Sequence, residues 1–118
     1  MSKSYNYKPR QMVAINSPDW ESEKAIGIDG EFTCELLNHK KDTKVSNILT
    51  ESIRFFIPKS LVYEGKAPKW FILDKAEELN LEMWGNRPNI KSTLIGILAD
   101  DLPITFDKDK ASIEKKGD

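Results

Sequence analysis

The sharpest alternation of apolar and polar residues lies at 53–57, where Ile53, Phe55 and Ile57 occupy one side of an extended segment and Arg54 and Phe56 the other. A period of two of this kind predicts a half-buried strand. A second run, residues 31–37, sets Phe32, Cys34 and Leu36 against Thr33 and Glu35. Just before it, residues 24–28 form a shorter strand candidate that ends at Asp29-Gly30, a dipeptide favoured in two-residue hairpin turns. The pattern therefore predicts a β-hairpin made of 24–28 and 31–37. Residues 12–15 predict a brief edge strand, closed by the turn chemistry of Asn16-Ser17-Pro18-Asp19.

After Ile57 the spacing changes. Pro58 cannot donate to a sheet ladder, so it marks a strand end or an edge. Leu61, Val62 and Tyr63 read as a further extended piece before a turn at Glu64-Gly65-Lys66. Pro68 suits the first turn of a helix. From there Trp70, Leu73, Ala76, Leu79 and Leu81 form a stripe for burial, and Asp74, Glu77 and Glu78 face water. Met83-Trp84 ends that helix and residues 85–89 are loop chemistry. Residues 90–99 fit a strand or a short helix equally well, and Ile104 and Phe106 supply a last apolar pair.

These elements predict an α+β chain, mainly β: a small antiparallel sheet or a partly open barrel of the OB or SH3 type, with one helix. The expected organisation is a flexible arm at 1–11, one globular domain at 12–106 and a disordered charged tail at 107–118. Residues 53–81 hold three of the five Phe, and this aromatic ribbon and the helix after it are expected to fold together as the kernel, with Trp70 inside it.

Composition narrows the chemistry. The 118 residues suffice for one core but not two. Eighteen basic residues against nineteen acidic leave a weak overall field, so sequence-blind grip on duplex DNA or an acidic membrane is not expected. One cysteine excludes an intramolecular disulfide and, with no apolar leader, favours a cytosolic setting. No apolar run approaches the roughly 20 residues of a membrane helix. Cys34 sits on the apolar face with Phe32 and Leu36, which reads as a buried structural thiol. His39, the lone histidine, stands in a charged loop and reads as a surface residue. The six glycines are scattered singly, so no phosphate-cradling loop can be assembled, and neither a metal site nor a cofactor is expected. An enzyme is not the expectation.

What remains is a local contrast of charge. Between 54 and 70, Arg54, Lys59, Lys66 and Lys69 outnumber Glu64 and are interleaved with Phe55, Phe56, Tyr63 and Trp70; between 74 and 82, Asp74, Glu77, Glu78 and Glu82 outnumber Lys75. Basic, aromatic strand surfaces hold single-stranded nucleic acid by stacking and backbone charge. The alternative is that the aromatics are core and the lysines their solvated neighbours. The candidate nucleic-acid contacts are Arg54, Phe56, Lys59, Tyr63, Lys66 and Lys69, with Trp70 as a further stacking ring.

The run Phe56-Ile57-Pro58-Lys59-Ser60, followed by Ala67-Pro68-Lys69-Trp70 and the segment 75–81, resembles a pattern of small phage and prophage proteins. In these, a strand ending in an aromatic, an aliphatic and Pro-Lys-Ser precedes a Pro-x-Trp-Leu helix. Residues 23–26 and Asp29-Gly30 resemble that family's opening strand and hairpin. The chain departs from the pattern in the long piece at 31–52, and Phe71 stands where Leu is usual. The resemblance implies a compact β-rich module from a phage or mobile element, with no settled activity. The expected function is a non-enzymatic binding module acting on single-stranded nucleic acid or a nucleic-acid-processing complex. The alternative is a protein-binding inhibitor of a host enzyme or defence system, using the acidic helix face and the tail.

Overall fold

The computed structural model describes residues 11–36, 47–85, 90–107 and 110–113. Its centre is β3 (Ala25–Leu36), a strand of 12 residues that pairs antiparallel with the equally long β4 (Asn47–Pro58) in one unbroken register, from Ala25 opposite Pro58 to Leu36 opposite Asn47. On the other side of β3 two strands share the work. The short β2 (Trp20–Glu21) pairs with Ile26 and Gly27, and β6 (Ile90–Ile95) pairs with the half from Glu31 to Leu36. Beyond β6 come β7 (Ile104–Asp107) and β8 (Lys110–Ile113), all antiparallel. A separate two-stranded ribbon joins β1 (Met12–Ala14) to β5 (Lys66–Pro68), and the helix α1 (Lys69–Trp84) follows β5 directly. The architecture is α+β and mainly β, an antiparallel sheet that does not close into a barrel.

The alternation read from the sequence dictates which face is covered. Ile26, Ile28, Phe32 and Cys34 of β3, Phe55 and Ile57 of β4, Leu94 of β6, and Ile104 and Phe106 of β7 point to one side and are buried there with Ile72, Ala76 and Trp84 of α1. Phe32 is the hub, edge-on to Trp84 and tilted against Phe106, with centroids 5.8 and 5.5 Å away. Each fully buried side chain of this size contributes about 1.5–3 kcal/mol relative to exposure. The opposite face of the sheet is open to solvent.

Four expectations are corrected. Asp29-Gly30 is no hairpin turn, because β3 runs straight through it. Glycine is required there for space: a Cβ at Gly30 would stand 2.6 Å from the Ile95 carbonyl oxygen and 2.8 Å from Ile97 Cδ1. After β6 the chain bends at Gly96, whose φ of 96° is a left-handed conformation, and lays buried Ile97 into the room that Gly30 leaves. Asn16 secures this crossing, donating from its side chain to the Gly96 carbonyl at 2.7 Å and from its backbone to Ile97 at 2.9 Å.

The buried line of α1 is Ile72, Ala76, Asn80 and Trp84, at a spacing of four; Trp70 stands 52% exposed and Leu81 is exposed too. The helix is therefore rotated from the expected stripe, and it packs against β5, β7 and β8. The kernel with Trp70 at its heart does not form. Leu61 belongs to a short 3-10 turn at Lys59–Leu61, so the extended piece expected at 61–63 is shorter. Finally, Lys110–Ile113 forms β8 within the stretch expected to be a disordered tail. Ala111 is buried there, and its amide donates to the Glu77 carboxylate at 2.8 Å. Residues 90–95 resolve as strand. His39 and positions 1–10 of the expected arm lie outside the described residues.

Candidate nucleic-acid interface

The six residues singled out by the sequence fall into two groups on different sheets. Arg54 and Phe56 belong to the outer face of the main sheet, with Lys59 just past the end of β4. Tyr63, Lys66 and Lys69 belong to the ribbon and the start of α1. The sequence places them in one run; the fold divides them.

The outer-face group is built over Gly27. A Cβ there would meet Arg54 Cγ and Cδ at 2.9 Å and Trp20 Cε3 at 3.3 Å, so glycine lets both side chains lie flat on the sheet. Trp20, brought alongside by β2, sits edge-on to Phe56 with centroids 5.3 Å apart. Arg54 faces Asp29 across the β3–β4 ladder and donates from Nε at 2.6 Å and from its terminal nitrogen at 3.1 Å. That two-pronged hydrogen bond holds the Asp29 carboxyl below its usual range and raises the guanidinium. The Asp29 amide in turn donates to Asp19 at 2.8 Å. Lys59 pairs with Glu21 of β2. Both cations of this group are thus neutralised by carboxylates, and an open groove of about 630 Å³ beside Arg54 is lined by Asp29, Glu31 and Arg54 itself.

Farther along the outer face the register aligns Ser112, Thr105, Thr93, Thr33 and Thr50 in one row across β8, β7, β6, β3 and β4. Cross-strand neighbours share a face, so this is a band of hydroxyls, uncharged and short. Sequence reading misses it because its members are scattered over 80 positions and only strand order unites them.

The second group is a corner. Tyr63 and Lys66 face each other across a tight turn, exchanging backbone hydrogen bonds of 2.9 and 3.0 Å. Glu64 and Gly65 between them have φ of 51° and 75°, the left-handed pair that a type I′ turn demands. Tyr63 is 67% exposed. From Lys66 the three residues of β5, about 10 Å of extended chain, lead to Lys69 at the first position of α1, whose amide donates to the Gln11 carbonyl at 2.9 Å. No side chain caps this helix and no acidic residue lies in its first turn, so its positive end adds to the two lysines. Gln11, Lys69, Trp70 and Leu73 line a second groove of about 490 Å³. Trp70 stands over it, edge-on to Phe71 at 5.9 Å. Among the described residues, neither Lys66 nor Lys69 has a carboxylate within ion-pairing distance.

Among the described residues, no cluster of three or more His, Cys, Asp or Glu side chains could hold a metal ion, and no helix is long and apolar enough to cross a membrane. Comparison with protein families, with curated proteins and with solved structures finds no match.

Proposed function

We propose that this chain is a non-enzymatic binding module of phage or mobile-element origin whose ligand is single-stranded nucleic acid, held at the corner of Tyr63, Lys66, Lys69 and Trp70. The observation that carries the reading is the pairing of two lysines that, among the described residues, lack carboxylate partners with two exposed rings at an uncapped helix start. A base can stack on each ring while the lysines and the helix end meet phosphate oxygens. Arg54 and Lys59 leave the proposed contact set, since each would have to give up a carboxylate to take a phosphate. The phage origin rests on the Phe56–Ser60 and Ala67–Trp70 resemblance. The test is anisotropy of a labelled single-stranded oligonucleotide: binding at low salt that weakens as salt rises supports the reading, and no binding at low salt overturns it.

A second reading, inhibition of a host enzyme or defence protein, is favoured by a different observation. Asp74, Glu78 and Glu82 are all exposed at a spacing of four and so form one acidic line along α1, on the side away from Ile72, Ala76 and Asn80. A single stoichiometric partner captured from host lysate, and lost on reversing these charges, would favour it.

A further inference from the structure

The strand β4 is an edge along its whole length. All 12 of its residues pair with β3, and among the described residues nothing pairs with its other side. Natural proteins blunt such edges with short strands, bulges, lysines or internal prolines. Here the register has no bulge, the only proline is the last residue, no lysine is present, and the charge of Arg54 is turned away onto Asp29. That leaves Glu51, on the row of Leu49 and Ile53, as the one charge of the strand without such a partner among the described residues. Apolar side chains stand in the open along it instead: Ile48 is 61% exposed, Leu49 is exposed and Phe56 is 43% exposed.

We propose that β4 pairs antiparallel with β4 of a second copy of this chain, about a two-fold axis at Ser52, so that one continuous sheet crosses a homodimer. This inference is independent of the nucleic-acid reading.

Self-complementarity chooses both the occupant and the register. Strand partners in one continuous sheet must lie on the same face, so a two-fold pairing of β4 with itself centres on a residue facing its own copy. Centring on Glu51 or on Arg54 sets like charges directly opposite, which is unfavourable. Centring on Ile53 sets Glu51 against Phe55 and leaves Phe56 facing Thr50; centring on Ser52 also sets Glu51 against an apolar residue, Ile53, but gives Phe56 an apolar partner. Centring on Ser52 sets Ile48 against the second copy's Phe56, twice by symmetry, with Thr50 against Arg54 and Ser52 against Ser52. The outer row Ile48, Thr50, Ser52, Arg54, Phe56 is thus apolar at both ends and polar between, so it reads the same in either direction. No like charges face each other. A strand from an unrelated protein has no reason to match this symmetry.

The test uses the full chain. In Ser52→Cys the two copies of residue 52 should lie about 4.5–5.5 Å apart at Cα, within disulfide reach, while the native Cys34 is buried and silent. Mild oxidation should give a covalent dimer in Ser52→Cys and at least tenfold less in Ser60→Cys, at an exposed position beyond the strand. By sedimentation the unmodified chain should dimerise, and Ile48→Lys should weaken that dimer at least tenfold. A chain monomeric at about 100 µM, a binding energy weaker than roughly 5.5 kcal/mol, overturns the proposal. So do equal cross-linking at positions 52 and 60, a dimer indifferent to Ile48→Lys, and a stoichiometric foreign partner that occupies β4 while the chain alone stays monomeric.

Discussion

The outer face around Trp20 and the corner around Tyr63 carry the same kinds of side chain in different states. Each has two cations and two aromatic rings. On the outer face Arg54 and Lys59 are bound to Asp29 and Glu21, and Trp20 and Phe56 are packed on each other. Among the described residues, the lysines of the corner have no carboxylate beside them and Tyr63 stands clear of any ring. The difference teaches that a count of charges and rings along a chain does not locate a binding surface. What matters is whether the fold has already used them, because a paired cation must lose a favourable partner before it can serve a ligand.

The largest effect is expected from Gly30→Ala, which forces β3 away from the Ile95 carbonyl at the crossing that holds the sheet together. Overpacking of this kind costs about 1–3 kcal/mol, and urea denaturation should show it as a lower midpoint. The corner, on its own ribbon, should keep its oligonucleotide affinity while the protein is folded. Trp70→Ala and Tyr63→Ala should do the reverse, each removing a stacking contact of about 1–3 kcal/mol from oligonucleotide binding with almost no change in midpoint. Phe56→Ala sharpens the contrast: it loses the contact with Trp20, about 0.5–1.5 kcal/mol beyond the area lost, which lowers stability and leaves oligonucleotide affinity unchanged.

The smallest effect belongs to Asp29→Asn. Because the folded carboxyl titrates below its unfolded value, its contribution is present above the unfolded range and is lost as pH falls through the folded one. The pair is half-exposed, so the gain is modest. Melting temperatures of the native chain and the variant should differ slightly at neutral pH and converge in acid below about pH 4, the ordinary carboxylate range. A gap that widens in acid would contradict this assignment.

Local patterning made some elements legible and left others hidden. The alternation of Ile53, Phe55 and Ile57 and of Phe32 and Cys34 survives intact in β4 and β3, since period two has only one half-buried solution. The helix was legible from Pro68 to Trp84, but its rotation was not. Asn80 lies on the buried line although its side chain is polar, so the apolar stripe alone pointed about one position astray. Asp29-Gly30 misled because glycine serves both a turn and a close approach of backbones, and only the position of Ile97 distinguishes them. The strand at Lys110–Ile113 was illegible because Ala111 is its one buried residue, and a strand of four with a single small core residue looks like charged tail. In the candidate site the residue types were legible. Their division was not, because the partners Asp29, Glu21 and Trp20 lie 25 to 38 positions from the residues they engage.

The salt dependence of single-stranded oligonucleotide affinity, compared among the native chain, Lys66→Gln with Lys69→Gln, and Arg54→Gln with Lys59→Gln, tests the division of these surfaces most directly. Two phosphate contacts at roughly 0.7 each for single strands predict that the corner double variant flattens the slope of log affinity against log salt by about 1.4, while the outer-face double variant keeps the native slope. Equal slopes for the native chain and the corner variant, or a loss confined to the outer-face variant, would contradict the account.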